Sequence, residues 1–274
     1  MESLMVTEIS TKSSAFNTHS LRLQELWDEL QILQADFAIS QELPIYYQSP
    51  VWHESKNILD VGCGNGHYLE LLNNYFPNKD YYGVDVSGEL ISLAKERLTE
   101  EKFKFIACNY FSYQGMHDVV VMRLFLQHLP DPIAVINHTA SLLKPGGMVF
   151  IIDSLDSIRY YYPPMPEFNS FFNTYRIHQL EKQLDRDVIS NLVAKFESEN
   201  NWECTINQDI LIPTTINGNK DRFCRVFSLF VDMVEEIGEL NYPFHSVRND
   251  IANWKNNSGY AQIGLKLLGV KLVK

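Results

Sequence analysis

Positive charge is scarce in this sequence. Lys and Arg total 23 against 34 Asp and Glu, a formal net charge of −11 over 274 residues. A surface that tracks nucleic-acid phosphates needs the opposite balance, which argues against nucleic acid as a partner. Residues 1–154 carry 10 basic and 19 acidic side chains, and residues 155–274 carry 13 and 15, so the second part is no basic arm either. Long apolar runs are also missing. No stretch reaches the roughly 18 uninterrupted apolar residues of a membrane span. The polar segment Met1–Ser20 lacks the apolar core of a secretion signal. The four cysteines, Cys63, Cys108, Cys204 and Cys224, include no pair at CxxC spacing. A reducing, cytoplasmic setting is therefore expected rather than a disulfide scaffold. The eight histidines form no H-E-x-x-H pattern, and no metal site is assigned.

What is present suits a buried core: 45% of residues are hydrophobic and 21% charged. The first 15 or so residues read as loose. Apolar positions Leu21, Leu23, Leu26, Leu30, Leu33 and Phe37 then recur at helical spacing and predict one or two helices over His19–Ile39. Strands follow at Asn57–Val61, Asp80–Val84, Lys102–Ala107, Asp118–Met122 and Met148–Ile152. Helices at Tyr68–Asn74, Gly88–Leu98 and Ile133–Leu143 separate them. Near-continuous apolar strands alternating with amphipathic helices predict a mostly parallel sheet covered on both faces. After Asp153 the rhythm changes. Tyr160-Tyr161-Tyr162-Pro163-Pro164-Met165-Pro166 excludes a regular helix and reads as a loop. Helices are expected near 168–182, 185–199, Asp221–Ile237 and Val247–Trp254, and strands near 203–213 and 259–273. The division expected is an N-terminal helical lid (1–56), a core α/β region (57–153), and the rest of a seven-stranded sheet with cap helices (154–274).

The most informative segment is Ile58-Leu59-Asp60-Val61-Gly62-Cys63-Gly64-Asn65-Gly66, a strand running into a glycine turn before a helix. Glycines allow the sharp turn and let a ligand approach the backbone. Asp85 ends the next strand, 19 residues after Gly66, where a carboxylate can accept from both ribose hydroxyls. A dinucleotide fingerprint would place its third glycine at His67, and a phosphate loop would need a following Lys-Ser/Thr. Both are absent. The pattern suits a ligand with ribose and adenine but no pyrophosphate.

On these residues the chain resembles the class I S-adenosylmethionine-dependent methyltransferases. The resemblance rests on Leu59–Gly66, Gly83-Val84-Asp85, Phe105–Asn109, Asp118–Arg123 with Leu126–Pro132, and Leu142–Gly147, in that order. It implies a Rossmann-like methyltransferase fold, S-adenosyl-L-methionine as cofactor and S-adenosyl-L-homocysteine as product. It places Gly62, Cys63, Gly64 and Gly66 along the methionine part, Asp60 near its amino group and Asp85 at the ribose. Val86 or Ile106 would pack on adenine, with Cys108 and Asn109 near its amine. Met122, Arg123 and Gln127 would lie toward the reactive end. His128, just beyond the fourth strand, is the candidate catalytic residue, as base or as aligner. Its ordinary pKa suits proton transfer near neutrality. Tyr47, Tyr160, Tyr161, Tyr162 and Phe227 are substrate candidates. Arg123, Arg159, Arg176 and Arg222 could meet a substrate carboxylate. A small-molecule acceptor is the leading expectation. A protein or peptide acceptor, a non-enzymatic scaffold and a homodimer stay open.

Overall fold

The structure is a computed structural model and describes residues 20–199, 201–215 and 219–273. The expected loose N-terminus lies outside the described residues. Helices α1 (Leu21–Gln48) and α2 (Pro50–Glu54) lead into β1 (Asn57–Val61), α3 (His67–Tyr75) and β2 (Asp80–Asp85). Then come α4 (Gly88–Arg97), β3 (Phe103–Ala107), β4 (His117–Arg123), α5 (Pro132–Thr139) and β5 (Leu143–Ser154). The remainder is β6 (Tyr160–Tyr162), α6 (Pro166–Glu181), α7 (Val188–Glu199), β7 (Trp202–Pro213), α8 (Asn219–Ile237), α9 (Phe244–Asn256) and β8 (Tyr260–Leu272).

The sheet runs β3-β2-β1-β4-β5-β8-β6, with β7 on the other edge of β8. Strands β1 to β5 pair in parallel, whereas β8 is antiparallel to β5, β6 and β7. The central strands are apolar almost throughout: Val119–Met122 and Val149–Ile152 are fully buried, as a sheet covered on both faces requires. One face carries Tyr46, Trp52, Leu69, Ile91, Phe168, Phe223 and Trp254, from α1 to α4, α6, α8 and α9. The other carries Val135, Ile136, Ile189, Leu192 and Phe196, from α5 and α7. Strand β1 lies between β2 and β4, where chain order reverses, so a crevice opens beyond its carboxyl end.

Three details depart from the sequence reading. The sheet has eight strands rather than seven, because Tyr160–Tyr162 pairs with β8 through Tyr161↔Ala261. That pairing joins residues 100 apart and leaves no local periodicity. Helix α1 continues to Gln48, beyond the expected Ile39, because the buried face includes the carboxylate of Glu42, which an apolar pattern does not register. Strand β5 starts at Leu143, so Lys144–Gly147 belongs to it rather than preceding it. No helix among the described residues is long and apolar enough to cross a membrane.

Candidate active site

The glycine loop sits at the reversal point. Gly62, Gly64 and Gly66 have φ of +74°, +53° and +75°, the left-handed region that side chains with a Cβ avoid. A Cβ on Gly62 would lie 2.3 Å from the ring of Phe125, so space as well as dihedral demands glycine there. Asp85 accepts from the Gly64 amide at 3.0 Å and the Ser87 amide at 2.9 Å, and so braces the loop from the end of β2. Burial pushes its pKa up, and the amides of Ser87 and Gly64 work against that shift.

A cavity of about 110 Å³ opens beside this loop, and a second of about the same volume adjoins it farther from the loop. The first is lined by Asp60, Gly62, Cys63 and Asn65 from the loop, and by Gln127 and His128 after β4. Its roof comes from Trp27, Leu30, Gln31 and Gln34 of α1, Tyr175 of α6, and Phe230, Met233 and Val234 of α8. Leu23, Leu26 and Leu30 pack on Leu229 and Met233, which joins α1 to α8 as that roof. A buried ion pair holds α1 to the sheet: Arg123 Nε donates to Glu42 at 3.0 Å and Arg123 Nη2 to the Gln34 carbonyl at 3.0 Å. Burial opposes the Arg123 charge, and Glu42, together with the Tyr68 and Tyr46 hydroxyls, more than offsets it.

Asp60 is 2% exposed and faces this cavity. Burial, with Asp85 and Glu42 adding to it against Arg123, pushes its carboxyl up to about 8. Its ionised form therefore lacks compensating positive charge. At the start of α3, His67 bonds Asp36 at 2.8 Å and Glu70 at 3.0 Å. Two carboxylates at that helix start oppose a pyrophosphate.

Several expected residues do converge. Asp60, Gly62, Cys63, Arg123, Gln127 and His128 line the first cavity, and Phe227 lines the second. Val86, 70% exposed, and the exposed Ile106 stand at the ends of β2 and β3 beside Asp85 and Cys108. Asn109 accepts from the Phe111 amide at 2.9 Å, which leaves one lone-pair direction of its carbonyl for another donor.

The Met122 side chain is fully buried in the core beneath α5 and α7, which leaves its backbone as the expected contact. Others need correction. Tyr47 lies at the opposite end of the central strands, before the start of β1, 5.0 Å from the ring of Phe76 at the far end of α3. Tyr160 and Tyr162 are exposed on edge strand β6, while Tyr161 is buried and donates to Asn169; none of the three lines either cavity. Arg123 is committed to Glu42 rather than free for a ligand. His128 departs from its ordinary pKa, because burial, with Arg186 adding to it, pushes it down to about 3. A neutral imidazole of that kind suits alignment better than proton removal at neutral pH. Gln31, Gln34, Tyr175 and Arg186 had no local signal; only packing of helices far apart in the chain brings them to the cavity.

A doubly wound sheet with a glycine loop, a strand-end carboxylate and no pyrophosphate cradle defines a nucleoside-cofactor enzyme of the methyltransferase class. The family described as "Methyltransferase domain" matches residues 44–187, more than half of the chain. The chain belongs to the S-adenosylmethionine-dependent methyltransferases, and S-adenosylmethionine is its cofactor. It is 27% identical over 196 residues to malonyl-[acyl-carrier protein] O-methyltransferase 2 of Ilyobacter polytropus, covering 66% of this chain and 71% of that one. It is 35% identical over 104 residues to the ubiquinone biosynthesis O-methyltransferase of Pectobacterium carotovorum, covering 35% of this chain and 41% of that one. The chain thus spans less than half the length of the latter relative. Among solved structures it resembles the mitomycin 7-O-methyltransferase MmcR, with a TM-score of 0.52 and 11% identity over 86% of this chain and 54% of that one. It also resembles an S-adenosylhomocysteine-bound methyltransferase from Geobacter sulfurreducens, with a TM-score of 0.50 and 16% identity over 85% and 91%. These two likenesses concern the fold alone.

Proposed function

We propose that this chain transfers a methyl group from S-adenosylmethionine to a small-molecule acceptor by in-line displacement. The observation that carries the reading is the pair of adjoining cavities roofed by helices, which suits a compact acceptor better than an extended chain. When bound, the cofactor supplies a methyl carbon already activated by its sulfonium. The acceptor's lone pair forms the new bond as the carbon–sulfur bond breaks toward sulfur, and an acceptor proton, where there is one, passes to solvent or a nearby base. The chain's own residues bind, align and exclude water. Asp60 takes the ammonium, Gly62, Cys63, Gly64 and Gly66 give room along the loop, and Asp85 takes the ribose hydroxyls. Val86 and Ile106 offer an apolar shelf for adenine, beside Cys108 and Asn109. Gln127 and His128 align the acceptor. The segment from α1 to β1 acts as a lid over the site. The relatives named as malonyl-[acyl-carrier protein] O-methyltransferase and ubiquinone biosynthesis O-methyltransferase support an O-directed reaction.

Calorimetry should show binding of S-adenosylhomocysteine and none of NAD at similar concentration. Labelled S-adenosylmethionine added to a fractionated cell extract should then put label into the small-molecule fraction. Label confined to protein would favour a peptide acceptor, and tight binding with no transfer to any fraction would favour a scaffold.

Binding should also release a proton. Near pH 7 a carboxyl titrating at about 8 is mostly protonated, and an ammonium beside it favours the ionised form. Below that pKa each pH unit is worth about 1.4 kcal/mol, so affinity should rise by up to tenfold per unit from pH 6 toward 8. Without ligand the sign is reversed. The raised folded-state pKa makes Asp60 destabilise the fold as pH climbs from about 4 to about 8. Titrations in buffers of different ionisation heat should show release of about 0.5–1 proton at pH 7, lost in Asp60→Asn. A pH-independent affinity would take the ammonium away from Asp60.

A further inference from the structure

The second cavity shares Leu30, Gln34, Arg123, Leu124, Arg186 and Phe230 with the first, so the two adjoin across those side chains. Beyond them the lining is mostly aromatic and aliphatic, with Phe168 and Phe227 at a ring separation of 4.6 Å, and its polar groups are Ser154, Asp156 and Arg159. Arg159 stands among these apolar groups with its guanidinium 3.5 Å from the ring centre of Phe172. Its Nη1 is buried and has no hydrogen-bond partner.

Its neighbours are bonded elsewhere. Asp156 accepts from Arg186 at 3.0 and 3.4 Å, and Arg176 is paired with Asp187. Asp156 also acts on Arg159 through space, but the Arg159 Nη1 donors stay unused. Burial lowers its pKa, with Asp156 and Tyr161 opposing that shift and Arg186 and Arg176 adding to it. Arginine nevertheless stays protonated, so the site holds a desolvated cation with a donor to spare. One guanidinium nitrogen with unused donors suits a carboxylate better than a phosphate dianion, which would need more donors, and the aromatic walls suit an apolar body.

We propose that the second cavity is the acceptor pocket and takes a small apolar or aromatic carboxylic acid, whose carboxylate is anchored by Arg159. The ring or chain of the acid packs on Phe168 and Phe227, and its nucleophilic atom points through the shared wall toward the first cavity. The carboxylate is the handle, not the methylated atom. This assignment rests on the reading of the first cavity as the cofactor site.

The test uses matched pairs: phenylacetate, 4-hydroxybenzoate and octanoate, each against its primary amide. Binding to the full chain is measured by calorimetry and ligand-observed NMR, with and without S-adenosylhomocysteine. At least one acid should bind about ten- to a hundredfold more tightly than its amide, the range of one charge-assisted hydrogen bond. Arg159→Gln should erase that preference, and Arg159→Lys should recover part of it, while affinity for S-adenosylhomocysteine holds in both. Circular dichroism on each variant separates loss of preference from loss of fold. Equal binding of acid and amide, a preference that survives Arg159→Gln in a folded protein, or no acid binding at about 10 mM each overturns the proposal. Failure of S-adenosylhomocysteine to bind would count against the cofactor reading instead, with the acid–amide comparison in ligand-free protein still deciding the role of Arg159.

Discussion

Replacing Glu42 with alanine should cost the fold about 3–5 kcal/mol, the range measured when one partner of a buried ion pair is removed. Glu42 is fully buried on α1. One carboxylate oxygen accepts from Arg123 Nε at 3.0 Å and the other from the Tyr68 hydroxyl at 2.6 Å. Tyr68 in turn meets the Tyr46 hydroxyl at 2.7 Å, and the Arg123 guanidinium lies 4.7 Å over the Tyr68 ring. Without Glu42 the guanidinium, 7% exposed, stays in the interior without its hydrogen-bonded carboxylate. A chain of this size loses about 2–4 °C of Tm per kcal/mol, so thermal melting should fall by roughly 6–20 °C. The double variant Glu42→Leu with Arg123→Met should regain most of the loss, because it removes both desolvation costs together. Helix α1 supplies Trp27, Leu30, Gln31 and Gln34 to the cavity roof, so Glu42→Ala should also weaken S-adenosylhomocysteine binding. A melting shift under about 3 °C would mean that the pair contributes no more than an exposed one.

Asp85→Ala should lower cofactor affinity by about ten- to a hundredfold, through loss of charge-assisted hydrogen bonds worth roughly 1.5–3 kcal/mol. From sequence alone Asp85 reads as a ribose acceptor. Its bonds to the Gly64 and Ser87 amides add a second role. The carboxylate also holds the glycine loop, and alanine should cost the ligand-free fold roughly 1–3 kcal/mol. Asp85→Asn keeps one acceptor oxygen and should restore loop stability more fully than ribose binding. Calorimetry with S-adenosylhomocysteine, alongside thermal melts of the three proteins, separates the two effects. Unchanged affinity in Asp85→Ala would remove the ribose role.

The α/β alternation, the glycine loop and the acid at the end of β2 were legible in the chain itself. Each is a local signal. Left-handed dihedrals demand glycine at Gly62, Gly64 and Gly66, and strands buried on both faces must be apolar along their length. Those local constraints determined the sheet, its reversal point and the cofactor edge of the site. The tertiary structure alone decided which residues face the cavities. Tyr47 and Tyr161 read like pocket aromatics, yet packing on Phe76 and pairing with β8 take them elsewhere. His128 reads like a neutral-pH base, but burial beside Arg186 changes that. Glu42 interrupts an apolar helix pattern and is still buried, because Arg123, 81 residues on, meets it there. Arg159 reads as one of four arginines that could meet a substrate carboxylate, and only the fold separates it, with an unpartnered Nη1, from the paired Arg123 and Arg176. Periodicity reports which face of an element is buried. Whether a polar or charged group can stay on that face, and with what pKa, depends on partners that only the folded chain brings within hydrogen-bonding distance.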